Sequence, residues 1–270
     1  MYLGHPYGGG YFLERVIQRL LEYHKNEYRI TSKRPFHVDG EMSYVDINEC
    51  FEFAYEMTFG EGEHRNTRSG GERKRRSGEI FTDTFQGKLA EYAMYRYLLQ
   101  NEIYTTKPDL KIEGRGVWDS FDLEYGGLHI SVKSTKEYGN LLLLETKDWD
   151  ENGIYIPNKE DTVNTYDMFV LLRISPNGEQ EMKHRGLLYA DKIDKMILRD
   201  MTASLKWKYN IAGCILHEDF LELIRKKYIL PKGAKLGSGT YMDAENYYIQ
   251  SGDLRSSKEL IWRLKKYTGI

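Results

Sequence analysis

Cysteine is almost missing from this chain: Cys50 and Cys214 are the only two in 270 residues. They stand far apart, with no CxxC pair and no Cys/His cluster. That excludes a disulfide framework and a thiolate zinc site and leaves two buried free thiols. No apolar run reaches membrane-spanning length, and no charged-then-apolar leader opens the amino terminus, so the expectation is a cytoplasmic protein with no membrane partner. An excess of one charge is also lacking. Lysine and arginine number 39 against 41 acidic residues, a formal net charge of −2. This excludes a uniformly basic nucleic-acid binder but leaves room for a local basic face. The seven histidines (His5, His24, His37, His64, His129, His184, His217) show no metal-ligand spacing, which argues against a histidine-based hydrolase. Gly153-Ile154-Tyr155 has no partner "YIG", "GSGT" at 237–240 lacks the lysine of a phosphate-binding loop, and no Gly-x-Ser-x-Gly elbow occurs.

What is present is a globular composition, 40% hydrophobic and 30% charged, with 22 tyrosines suited to a wet, polar-rimmed binding surface. Helical spacing runs through "YFLERVIQRLLEYHK", with Phe12, Val16, Ile17, Leu20 and Leu21 on one stripe, and through "VDINECFEFAYEMTF", with Asp46 as its cap. The Gly-rich stretch that follows carries Arg65, Arg68, Arg73, Lys74, Arg75 and Arg76 and no core residue, so it reads as an exposed loop. "TDTFQGKLAEYAMYRYLLQ" predicts a helix capped by Thr82 or Thr84. "NLLLLETKDW", "YDMFVLLRISP" and "HRGLLYADKID" predict strands, with helical material after them. Residues 230–255 read as an extended loop before a short amphipathic helix. The pattern predicts an α/β fold with a mixed central sheet flanked by helices. It divides into a helical amino-terminal region (1–80), a core (81–230) and a loop-rich carboxyl-terminal addition (231–270).

Chemistry enters at "FDLEYGGLHISVKSTK", residues 121–136. Alternating runs flank Gly126-Gly127, which predicts a hairpin with a two-residue turn. Counting outward sets Asp122 opposite Ser131 and Ser120 opposite Lys133. Asp122, Ser131 and Lys133 then share one face, while Phe121, Leu123, Ile130 and Val132 point into a core. A carboxylate and an ammonium on one face suit phosphodiester hydrolysis, where carboxylates hold a divalent cation and an ammonium orients the attacking water. Glu91, in the preceding helix, is the candidate third group. A cross-strand ion pair on a solvated sheet face is the plainer alternative.

This order, Glu on a helix, Asp on one strand and x-Val-Lys on the next, resembles the PD-(D/E)XK nuclease superfamily, to which many type II restriction endonucleases belong. The resemblance covers roughly residues 85–190 and implies a restriction-endonuclease-like core. By it, Asp122 and Glu91 hold Mg²⁺, with Mn²⁺ able to substitute, Val132 offers its carbonyl, and Lys133 is the catalytic lysine. Ser131 stands where the family has an acid. Some restriction enzymes share the Ser-Val-Lys and relocate that acid, so Glu145 stays open beside Glu91, and Asp119 and Asp109 stay behind Asp122. The expected activity is Mg²⁺-dependent, site-specific cleavage of double-stranded DNA by a homodimer, with a cognate DNA methyltransferase as the partner such a system implies. DNA contacts are expected from the six basic loop residues and Lys136. The rivals are a structure-specific repair or recombination nuclease and a non-catalytic DNA-binding protein on the same fold.

Overall fold

The computed structural model describes residues 19–24, 27–60, 75–111, 121–158, 164–237 and 239–267. Its largest sheet has five strands in the order β3-β8-β7-β5-β4: β3 (Gly40–Glu41), β4 (Leu123–Tyr125), β5 (Leu128–Lys136), β7 (Met168–Ser175) and β8 (Lys208–Leu216). β5 and β7 run parallel and the other pairs antiparallel, so this is the mixed sheet of an α/β fold. A second sheet, β6-β12-β9, joins β6 (Leu141–Glu145), β12 (Asn246–Gln250) and β9 (Ile229–Leu230). A small third one joins β1 (Glu22–His24), β2 (Glu27–Arg29), β10 (Lys235–Leu236) and β11 (Thr240–Tyr241).

Alternation along β5 and β7 sorts the core into two layers. Ile130, Val132, Val170 and Leu172 face one cluster, which also takes Phe51 from α1 (Tyr44–Phe59), Phe81 and Leu89 from α2 (Ser77–Gln100), and Leu260 and Leu264 from α6 (Ser257–Tyr267). Phe169 and Leu171 face the other way, onto Leu142 and Leu144 of β6, Ile249 of β12, and Phe220 and Leu223 of α5 (His217–Lys226). Each such side chain contributes about 1.5–3 kcal/mol by leaving water. The second sheet therefore covers the face of the main sheet that α2 does not. Two further helices, α3 (Gly178–His184) and α4 (Lys195–Ser204), complete the helices among the described residues. Both cysteines are free and buried; burial pushes the Cys214 thiol up to about 12 and Cys50 well above the usual thiol range.

Several elements differ from the expectations. α1 is capped by Ser43, whose hydroxyl accepts from the Asp46 amide, and Asp46 instead takes a forked contact from Arg96 at 2.6 Å. α2 begins at Ser77, a turn before Thr82. Leu20 is exposed and residues 22–24 are a strand, so a helix does not reach that far, while Phe12, Val16 and Ile17 lie outside the described residues. "HRGLLYADKID" holds no strand, only the end of α3 and turns. The third long strand is instead β8, which no periodicity announced because both of its faces are buried. The carboxyl-terminal stretch is not simply a loop: β12 is the middle strand of the second sheet.

Candidate functional site

The hairpin forms in the expected register, Leu123 against Ile130, Glu124 against His129 and Tyr125 against Leu128. Gly126 and Gly127 turn it with φ of 58° and 86°, the left-handed region that glycine enters without a Cβ clash. One step outward, Asp122 reaches across the strand end. Its Oδ2 accepts from the Val132 amide at 2.6 Å and from the Ser131 hydroxyl at 3.2 Å. The carboxylate thus replaces the next rung of the ladder and is held on its strand neighbour. Oδ1 takes no hydrogen bond among the described residues. Since the N–H and C=O of one residue leave a strand on the same side, the Val132 carbonyl also points to the Asp122 edge.

Ser131 is buried at 1% exposure, and Lys133 follows on the same face, half-buried and level with Leu171 of β7. No hydrogen bond or ion pair ties Lys133 among the described residues. The plainer alternative, a cross-strand pair of Asp122 with a lysine, does not form there. Phe121 departs from the alternation. A bend at Asp122 swings its ring onto His129, 4.8 Å between centroids, and toward the layer shared with β6 rather than the α2 layer. Sequence reasoning missed Asp167, whose carboxylate accepts from the His129 amide at 2.8 Å on the other side of β5; its place just before the "MFVLL" strand was the available signal.

Glu91 is not brought to this face. α2 packs on the Ile130/Val132 side, and Glu91 pairs with the buried Lys88 at 2.8 Å, beside Cys50 of α1. Glu145 ends β6, paired in register with Asn246, and its pKa is raised to about 7 by burial and by Asp148 and Asp243. Asp109 is half-buried near Lys111, and Asp119 and Ser120 lie outside the described residues. Of the basic residues, Arg65, Arg68, Arg73 and Lys74 also lie outside them. Arg75 pairs with Asp83 at 2.8 Å and Arg76 with Asp191 at 2.6 Å, while Lys136 pairs with Glu179 on the face opposite Lys133.

A Mg²⁺ ion is commonly held by one or two carboxylates, with water and substrate phosphate completing the octahedron. Asp122 Oδ1 and the Val132 carbonyl fit the smaller form of that set. Among the described residues no group of three or more His, Cys, Asp or Glu side chains is placed to hold a metal. Comparison of the chain with protein-family models, curated proteins and solved structures finds no match.

Proposed function

We propose that this protein is a Mg²⁺-dependent endonuclease that cleaves double-stranded DNA at defined sequences, acting as a homodimer on a restriction-endonuclease-like core. The observation that carries the reading is the Asp122 carboxylate fastened to Ser131 and Val132, with the Lys133 ammonium, which has no partner among the described residues, next on the same face. When bound, the cation would polarise the scissile phosphate and lower the pKa of a bound water. Asp122 and the Val132 carbonyl would hold it, and Ser131 would fix the carboxylate's orientation through its hydroxyl. Lys133 would hold the attacking water by hydrogen bond and stabilise charge on the phosphoryl oxygens. An ammonium with no counter-ion among the described residues is suited to that role, because its charge is left for the phosphate.

One observation favours a second reading. Ser131 replaces an acid, and Glu91 lies across the sheet, so the donor set is thin and a non-catalytic DNA-binding protein is the alternative. Incubating the protein with phage-length linear DNA, with Mg²⁺ or with EDTA, separates the cases on a gel. The expected result is a set of discrete bands that require Mg²⁺. A Mg²⁺-dependent smear would replace site-specific cleavage by a structure-directed or non-specific nuclease. Intact DNA in both lanes would favour the binding protein.

A further inference from the structure

Helix α6 buries one face and leaves the other uncovered. Its Leu260 and Leu264 enter the layer that holds Ile130 and Val132, so α6 lies across the main sheet from Lys133. Lys258, Trp262 and Lys266 are spaced four apart, which sets them on one stripe, and all three are exposed. Three features of this stripe do nothing for the fold.

The first is Trp262 itself. It is 40% exposed and belongs to none of the hydrophobic clusters, whereas Trp149 and Trp207 are buried within them. The second is Lys258. It stands in the first turn, beside Glu259, whose amide donates to the Ser256 hydroxyl at 3.2 Å. That is the positive end of the helix dipole, where a cation is disfavoured, and Lys258 has no hydrogen bond or ion pair among the described residues. The third is the balance of charge. Lys258, Arg263, Lys265 and Lys266 face a single acid of the helix, Glu259, and that acid is already held by Arg255 at 2.8 Å and Arg263 at 2.9 Å. Lys265 stands 3.6 Å from Glu102, which leaves Lys258 and Lys266 on the outer stripe with no carboxylate against them among the described residues. Lys266 Nζ lies 5.0 Å from the Trp262 ring centroid. That exposed contact is weaker than the stacking of a base on the ring, so it does not withhold the indole from a ligand.

A partner that answers all three alternates negative charge with flat apolar rings. We propose that the outer stripe of α6 binds a single strand of nucleic acid, with an unpaired base stacked on Trp262 and flanking phosphates at Lys258 and Lys266. The two lysines stand about 12 Å apart along the helix axis, which leaves room for a nucleotide between them. A duplex hides the faces of its bases, so the indole selects an unpaired one. An anionic membrane would need a broad apolar face, and the apolar face of α6 is committed to the core. This inference does not rest on the nuclease reading, since α6 and Lys133 lie on opposite faces of the sheet, and its test is run in EDTA, where Mg²⁺-dependent cleavage plays no part.

Fluorescence anisotropy of a labelled oligothymidylate titrated with the full chain reads the surface directly. Saturable binding is expected, weakened by salt and tighter than binding to a duplex of the same length. Trp262→Ala should lower the affinity at least about fivefold. Lys258→Gln should flatten the slope of log affinity against log salt by about 0.7, the share of one single-strand phosphate contact. Both side chains are exposed, so the two variants should keep the thermal midpoint of the parent, which separates a lost contact from a lost fold. Lys133→Ala should bind the oligonucleotide as the parent does, so that a failure of the nuclease reading leaves this one standing. Absence of saturable binding, a duplex bound as tightly as the single strand, or parental affinity in Trp262→Ala would overturn the proposal. So would capture by phosphatidylserine vesicles in place of the oligonucleotide.

Discussion

At Glu145 the Lys147 ammonium stands 3.7 Å from Oε2, yet the carboxyl titrates at about 7. Burial and the charges of Asp148 and Asp243 outweigh the single cation, and Oε2 takes no hydrogen bond among the described residues. A carboxyl whose pKa is higher in the folded chain than the ordinary 4.5 stabilises the fold in its protonated form. That contribution is full below pH 4.5 and is lost as the pH rises to about 7. At roughly 1.4 kcal/mol per pKa unit it amounts to at most about 3.5 kcal/mol. Glu145→Gln should flatten the stability profile over that window and leave the variant more stable than the parent at pH 8. Urea titrations at pH 5 and pH 8 measure this, and parallel profiles for the two proteins would refute it.

At the scale of elements, the junction of β8, α5 and the segment before α6 is held by a buried arginine. Arg255 forks onto Asp219 of α5 with both contacts at 2.8 Å, and it reaches Glu259 of α6 at 2.8 Å. Its backbone bridges Cys214 in both directions. Gly213, at φ 141°, makes room for this, since a Cβ there would lie 2.4 Å from the Arg255 carbonyl. Asp219 also accepts from the Leu216 amide that opens α5. Asp219→Asn removes one partner of a buried pair, and a loss of about 3 kcal/mol is expected by chemical denaturation. A change under 1 kcal/mol would mean that Glu259 carries the arginine unaided. The hairpin, α2 and β7 were legible in the sequence because their signals are local: a Gly-Gly turn, a 3.6-residue stripe, an unbroken apolar run. β8 and β12 were not. Gly213 interrupts the first, and "NYYIQ" joins a sheet between β9, only two residues long, and β6, a hundred residues earlier. Glu91 was misplaced for a related reason: helical spacing shows that it shares a stripe with Lys88, not which face of the sheet that stripe covers.

For the whole molecule, two layers on opposite faces of one mixed sheet leave the β4 edge of β5 as the place where a carboxylate and a lysine share a face. The Asp122–Ser131 pairing was readable from the turn, while the bend that carries Phe121 onto His129 was not, because it depends on packing against the second sheet. The proposed cutting of DNA at the hairpin face is tested by comparing cleavage and DNA binding in the parent, Asp122→Asn and Lys133→Ala proteins under Mg²⁺. Asparagine keeps an oxygen that can accept from Val132, so the strand end should hold its form while losing the charge that binds the cation. The expected result is cleavage lowered at least a hundredfold in both variants, with DNA affinity in Ca²⁺ within about threefold of the parent. Full cleavage by either variant would contradict the account.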